Sequence, residues 1–296
     1  MKDATLAIDA GGTTFKSALV GDDAEILPDS SMQVASHSDG AADEILAAYH
    51  DITRTALEYA GAHGLTIAGL GVATPGPFDY ERGASLMTHK FQAIRGLPLR
   101  DRFRAPGLLP ADAPIVFVQD VHAFLLGEHW GGAARGIADV AAITVGTGLG
   151  FGVMKDGRVL DNGKGGPHRV VFDLPYGDGI LEDRVSRRGI IAAYRRRSPE
   201  ADLDVVDIAA KARGGDVAAA EVFAETGAIL GRELAGVLSE YAISDVVFGG
   251  QISRSFDLFG PRFQKTLSRM GQTVRAARGG NLEFAALLGA ARALKS

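Results

Sequence analysis

The chain carries one short device twice, and this repeat constrains its fold more than any other feature. Residues 4–8 form an apolar run, Asp9-Ala10-Gly11-Gly12-Thr13-Thr14 follows, and residues 15–20 return as a second apolar run. Residues 141–145, Gly146-Thr147-Gly148-Leu149-Gly150 and residues 151–154 repeat that order. Each reads as strand, turn, strand. Glycines at such a turn permit φ > 0 and let backbone N–H groups approach a ligand closely, and the threonines add hydroxyls. Either turn by itself fits a tight hairpin, with Asp9 as a capping residue, as well as it fits a phosphate cradle. Two copies say more than one, because cradles from two domains can close on a single ligand. The length of 296 residues also exceeds what one core usually supports, so two domains are expected.

Between the two copies, residues 115–127 read IVFVQDVHAFLLG. An apolar strand runs into Gln119-Asp120 and a helical segment, 121–129, follows. Asp120 is thereby expected at the carboxyl end of a buried strand, where open α/β sheets bind their ligands. It is read as a catalytic base; a helix cap is the plain alternative. Helical spacing of apolar residues predicts helices over 40–62, 181–193, 205–212, 217–241, 256–270 and 281–294, with a short one at 99–103 before a proline-rich loop through Pro114. Strands are predicted at 67–73 and 243–248. The first of these ends in the turn Thr74-Pro75-Gly76-Pro77, and the second runs into Gly249-Gly250, where an adenine or ribose can lie close to backbone. Trp130 is read as a packing residue, and the run 195–197 of three arginines as a solvated helix end. His168, in the loop GKGGPH, suits a ligand hydroxyl or a hydrogen bond within the loop. Glu182 suits the first turn of a helix through the macrodipole.

Composition narrows the function. The formal net charge is −5, with 23% charged and 46% hydrophobic residues. That argues against nonspecific nucleic-acid binding, which needs a basic surface. The absence of cysteine excludes disulfides, cysteine nucleophiles and thiolate zinc sites. No run of roughly 18 apolar residues suggests a membrane span, the N-terminus has acids and glycines where a signal peptide needs an apolar run, and a cytoplasmic protein is the expectation.

Taken in order, IDAGGTTFKSALV, ATPGPFDYERG, VQDVHAFLLGE, TVGTGLGFGVM and VVFGGQIS resemble the ROK family (repressors, open reading frames and kinases), nearly end to end. The resemblance implies an α/β actin-like ATPase fold of two ribonuclease-H-like domains with a central cleft. A smaller N-terminal domain, 1–118, would take back the C-terminal helix at about 282–296, and 119–281 would form the larger domain. It implies ATP- and Mg²⁺-dependent phosphorylation of a small-molecule sugar of hexose type, glucokinase-like, and a homodimer as a family-based expectation. By position, Asp120 matches the catalytic Asp. Asp9 (holding Mg²⁺ through water), Gly11, Gly12, Thr13 and Thr14 match the first phosphate loop, Gly146, Thr147 and Gly148 the second, and Gly249 and Gly250 the adenosine segment. Gly76, Lys90, Gln119, Asp120, His168 and Glu182 fall at sugar-binding positions. The chain departs from the family pattern at Gln119 and Lys90, where Asn is usual, and at Gly165, where Glu is usual. A shortened RVVFDLPYGDGIL replaces the cysteine-rich loop, so no zinc site is expected. These departures touch the sugar contacts and leave the phosphate turns intact; they leave open a different hydroxyl pattern or an anionic substituent. Two other classes compete: a non-catalytic or weakly catalytic sugar-binding member, and a sugar-responsive regulator, for which a phosphate strand within the first ten residues leaves no room for a helix-turn-helix.

Overall fold

Residues 65–74 are an almost unbroken apolar run, and the strand they form is buried at every position from Gly69 on, as the middle of a parallel sheet requires. The computed structural model describes residues 2–104, 109–110, 112–198 and 202–295; residues 105–108 and 111 of the expected proline-rich loop lie outside the described residues. The chain divides into two units. The first is Met1–Arg135 with Asp161–His168 and Glu283–Ser296, and the second is Gly136–Leu160 with Arg169–Leu282.

In the first unit β1 (Lys2–Ala10) turns back antiparallel as β2 (Thr14–Val20), followed by β3 (Met32–Ala35). Helix α1 (Ala42–Ala62) buries Ile45, Ala48, Tyr49, Ile52, Ala56 and Ala60, the three-and-four spacing of one helical face, and stops before Gly64 at φ 65°. Strand β4 (Leu65–Thr74) pairs parallel with β1. The short ladder β5 (Phe78–Asp79) with β6 (Ala84–Ser85) and helix α2 (Leu99–Phe103) lead to β7 (Ile115–Gln119), parallel to β4. Sheet order is β3-β2-β1-β4-β7. β3 is absent from the sequence-based expectation because four residues, alternately half-buried and exposed at a sheet edge, leave too short an apolar pattern to read.

The domain boundary differs from the expected 118/119. Helix α3 (Asp120–Gly131) belongs to the first unit, because it packs backbone to backbone on the C-terminal helix (Ala285–Ala293). A Cβ on Gly127 would stand 1.9 Å from the Ala285 carbonyl oxygen, and one on Gly289 would stand 1.6 Å from that of Ala123. Gly71 of β4 meets the same helix, with a would-be Cβ 2.1 Å from the Ala290 carbonyl. The helix also begins at Ala285 rather than 281. Trp130 packs beside it, under Arg292 and Lys295 at 5.8 and 5.4 Å from the ring centre.

The second unit repeats the first sheet's plan. Strands β8 (Val140–Val145), β9 (Leu149–Lys155) and β10 (Arg158–Val159) run antiparallel in turn. A small ladder of β11 (Pro175–Tyr176) and β12 (Gly179–Ile180) precedes the helices. The helix expected over 181–193 is two: α4 (Glu182–Val185) and α5 (Arg187–Arg195). Ser186, at ψ 179°, interrupts them, and Gly189 packs so closely on Arg184 that a Cβ would lie 2.4 Å from its backbone. Periodicity alone cannot show that break, since the apolar spacing continues across it. Then come α6 (Val205–Arg213), the long α7 (Val217–Glu240), β13 (Asp245–Gly249), α8 (Phe256–Arg269) and β14 (Arg275–Arg278). Asp216 caps α7, accepting from the Ala219 N–H at 2.9 Å. Sheet order is β10-β9-β8-β13-β14, with β13 parallel to both neighbours. β14 was not expected; it is an exposed edge whose arginines hide the strand pattern. Arg195 and Arg197 pair with Asp202 and Glu225 at the end of α5, as a solvated helix end does. Among the described residues no helix is long and apolar enough to cross a membrane.

Candidate active site

Strand β1 ends at Ala10 and β2 starts at Thr14, which leaves Gly11, Gly12 and Thr13 as the first turn. Gly11 has no room for a side chain: a Cβ would lie 2.9 Å from the Thr14 carbonyl oxygen. Ser36, fully buried just past β3, braces the turn. Its Oγ donates to the Gly12 carbonyl at 2.8 Å and its N–H donates to the Thr13 carbonyl at 3.0 Å. Fixing those carbonyls fixes the direction of the peptide N–H groups that a phosphate would use. Sequence reasoning missed Ser36, since a brace 24 residues away leaves no local signal.

Asp120 is the first residue of α3, and its Oδ1 accepts from the Val121 N–H at 2.8 Å. The cap alternative is thus realised in part: the contact holds one carboxylate oxygen at the helix N-terminus. Asp120 is exposed to water, yet enough protein lies around it to reduce the bulk water that its carboxylate meets. The crowding governs its acidity, because loss of bulk water around a carboxylate acts beyond the contact surface. Its carboxyl is accordingly held above the ordinary value by desolvation, and the Val121 N–H and the Lys90 charge pull it back down. Asp9, opposite Lys16 on β2, is pushed up to about 6, first by desolvation and then by the charge of Asp120, while Lys16 opposes the rise. Two carboxylates near enough to resist joint ionisation make a site that favours a cation or a proton.

The direction of the Asp9 shift sets a stability test. Its pKa in the folded chain is above the ordinary 3.8, so the fold binds the proton more tightly and loses stability as pH rises from there through about 6. Asp9→Asn should therefore raise the melting temperature at about pH 7.5 and leave it unchanged at about pH 3.5. Thermal unfolding across that range checks it; equal shifts at both ends would remove the buried-carboxylate account.

Gly76 and Gln119 lie in the same unit, and with them stands Tyr80, which the sequence did not single out. The Tyr80 hydroxyl is buried without a hydrogen-bond partner, and a Cβ on Gly76 would lie 3.6 Å from it. The charge of Asp120, after desolvation, pushes the phenol further up. Gln119 Oε1 is also buried and unpartnered. Two residues past Asp120, the buried His122 is lowered to about 4 by desolvation, so its ring is neutral near pH 7, and its Nε2 lacks a partner. Buried polar atoms without partners are costly and mark places where a ligand supplies the missing bonds.

Residues 161–168 form a tight loop in this unit, with Asp161 and Asn162 carboxamide and carboxylate oxygens accepting from the N–H groups of Gly163, Lys164, Gly165 and Gly166. Gly165 has φ 77°, and a Cβ there would press within 2.9 Å of the Tyr80 Cβ. His168 Nδ1 donates to the Asp161 carbonyl at 3.1 Å, so the loop hydrogen bond weighed from sequence is present.

In the second unit the turn Gly146-Thr147-Gly148 joins β8 to β9, closed by the Gly146 N–H donating to the Gly148 carbonyl at 2.9 Å. Glu182 lies against it: one carboxylate oxygen accepts from the Leu149 N–H at 2.9 Å and the other from Arg188 at 2.9 Å. The α5 N-terminus is tied to the same turn through the Arg187 N–H and the Gly146 carbonyl. Gly249 ends β13, and Gly250, at φ 78°, would place a Cβ 2.4 Å from the Val145 carbonyl, so this segment lies directly on the strand that leads into the turn. The two groups of residues thus assemble separately, Asp9, Gly11, Gly12, Gly76, Lys90, Gln119, Asp120 and His168 in the first unit and Gly146, Gly148, Glu182, Gly249 and Gly250 in the second.

Two open α/β sheets of one strand order, each with a glycine turn between its first antiparallel pair, define a duplicated α/β protein. The model of the ROK family matches residues 5–295, and the chain belongs to that family. Its fold is the actin-like ATPase fold, built of ribonuclease-H-like α/β units. It is 31% identical to a glucokinase of Thermotoga maritima, over 98% of this chain and 96% of that protein. It is 28% identical to an N-acetylmannosamine kinase of Escherichia fergusonii, over 84% and 83% of the two chains. A crystal structure of a ROK family glucokinase from Streptomyces griseus in complex with glucose and AMPPNP superposes with a TM-score of 0.78, at 26% identity and 98% coverage of each chain.

Proposed function

We infer that the protein is an ATP-dependent sugar kinase that transfers the γ-phosphoryl group of ATP to a hydroxyl of a hexose-type sugar. The observation that carries this reading is the first unit's cluster: the glycine turn at residues 11–13, Asp9, and an Asp120 carboxylate flanked by the unpartnered Tyr80 hydroxyl and Gln119 Oε1. A sugar hydroxyl attacks phosphorus poorly until its proton has an acceptor. Asp120, held above the usual carboxylate range yet anchored by Val121, is a base of raised strength in a fixed direction. The sugar proton passes to Asp120, the sugar oxygen bonds to phosphorus, and ADP leaves with the electrons of the broken bridge. The N–H groups of the turn at residues 11–13 take phosphate oxygens; in the second unit the turn at residues 146–148 has the same capacity, and Gly249-Gly250 suits a nucleoside. Glu182 braces the second turn, and His168 offers a contact to a sugar hydroxyl.

Mg²⁺ fits the surplus of negative charge at Asp9 and Asp120, held through water by Asp9. Mg²⁺ takes few protein ligands and keeps several waters, so Asp9 can hold it without a cluster of carboxylates. Bound there, it would neutralise phosphate charge.

A panel of hexoses, N-acetylhexosamines and less common sugars, read by ADP release, tests the activity. Stimulation by at least one sugar is expected; basal ATP hydrolysis that no sugar raises would favour a sugar-binding protein without transferase activity. Within the same assay, Tyr80→Phe removes one donor from the sugar side. It should raise the sugar KM about tenfold, the worth of a hydrogen bond to a buried group, with kcat nearly unchanged. A KM equal to wild type would take Tyr80 out of the sugar site.

A further inference from the structure

We propose that Lys90 is a phosphoryl contact: an ammonium laid on the glycine turn of the first unit that binds the equatorial oxygens of the phosphoryl group in transfer. This rests on the kinase reading above. The family pattern puts Lys90 among sugar positions, but its side chain lies on the first glycine turn. A Cβ on Gly12 would stand 3.2 Å from Lys90 Cδ and 3.6 Å from its Nζ, so the stem crosses the turn at a residue with no side chain to obstruct it. The unpartnered Tyr80 hydroxyl, which suits a sugar, stands instead at Gly76, where a Cβ would lie 3.6 Å from it.

The position of Lys90 is built rather than accidental. Phe91, the next residue, is buried, adopts φ 52° and stacks on Phe15 of β2 with ring centres 5.8 Å apart. Its N–H donates to the Ser38 carbonyl at 2.7 Å. Ser38 lies two residues past Ser36, whose Oγ and N–H hold the Gly12 and Thr13 carbonyls. One short run of chain, residues 36–38, therefore holds both the turn and the backbone that carries Lys90. The side chain is half-buried, and among the described residues no carboxylate forms an ion pair with it. A partly desolvated ammonium that no carboxylate holds at ion-pair distance, near enough to Asp120 for its charge to be felt there and lying beside a turn of backbone N–H groups, is suited to a phosphate.

The step assigns each particle. The sugar oxygen bonds to the γ-phosphorus as its proton goes to Asp120. The bond from that phosphorus to the bridging oxygen breaks, and its electron pair leaves on ADP. Charge gathers on the three equatorial oxygens, where Lys90 donates hydrogen bonds and keeps its own proton.

Binding tests this before any sugar is known. With Mg²⁺ present, wild type, Lys90→Met and Lys90→Arg are titrated with AMPPNP and with ADP by calorimetry. Wild type should prefer the triphosphate. Lys90→Met, which keeps the stem, should lose about tenfold of that preference with ADP affinity unchanged, and Lys90→Arg should restore part of it. With the sugar that the panel identifies, Lys90→Met should lower kcat by about 10²–10³-fold, the usual worth of one transition-state donor, and leave the sugar KM within about threefold. A Lys90→Met protein with the wild-type preference for triphosphate and a raised sugar KM would overturn the proposal and return Lys90 to sugar recognition, leaving the kinase reading standing. A wild type that binds neither nucleotide would remove the kinase reading and this contact together. Melting temperature and the ADP titration report whether each variant is folded.

Discussion

Asp120→Asn lowers sugar-dependent ADP formation by about 10²–10⁴-fold, the range of general base catalysis, and leaves nucleotide affinity within about threefold of wild type. The substitution suits the question because Asn keeps the shape of Asp and an oxygen that can accept from the Val121 N–H, now 2.8 Å from Oδ1. What it removes is basicity and charge. Two consequences separate the base from a simple structural role. The fold should be no less stable, since the raised pKa of Asp120 means that its ionised form is resisted where it stands. Asp9 should ionise more readily, because the charge of Asp120 is one of the causes that hold it at about 6. Steady-state turnover, calorimetric titration of nucleotide and a melting curve together check the set. Full turnover by Asp120→Asn would move the base elsewhere.

Gly289→Ala is expected to abolish folding of the first unit, with a destabilisation of about 4 kcal/mol or more, the exceptional range reserved for overpacking that cannot relax. The added methyl would stand 1.6 Å from the Ala123 carbonyl oxygen, and backbone is on both sides of the clash. The reciprocal contact, Gly127 on Ala285, closes the escape in the other direction. Because α3 begins with Asp120, pushing the two helices apart displaces the base as well as the core. Gly236→Ala is the control. It makes the same change in the exposed face of α7, where a Cβ meets nothing within 4 Å, and should stabilise the helix by about 0.5–1 kcal/mol. Denaturant melts of the two variants decide. A Gly289→Ala protein that unfolds like wild type would refute the close packing of these helices.

What could be read in advance was whatever depends on neighbours in sequence. The two glycine turns were legible because apolar runs on both sides of Gly11-Gly12 and Gly146-Gly148 define strands and leave only a turn between them. Asp120 was legible for the same reason, as the first charged residue after a strand. The repeat of the hairpin was visible; the repeat of the whole sheet order, β3-β2-β1-β4-β7 and β10-β9-β8-β13-β14, was not. Its edges, β3 and β14, are short and exposed, and the parallel partners arrive after long connections. Tyr80 and Ser36 were missed because neither belongs to a motif. Tyr80 matters through Gly76, Gly165 and Asp120, and Ser36 through Gly12 and Thr13.

Local chemistry thus determined the strands, the turns, the carboxylate at the strand end and the exclusion of cysteine chemistry, since each follows from residue type and from spacing within one element. Only the tertiary structure decided which partners each remaining group meets. It put Lys90 on the glycine turn and Tyr80 against Gly76 and Gly165, gave both oxygens of Glu182 to the second turn and Arg188, and drew α3 into the first unit on the backbone of the C-terminal helix. The reason is physical: a side chain's partner across 30 or 160 residues is fixed by how sheets and helices pack, and close packing acts on space, to which no order along the chain corresponds.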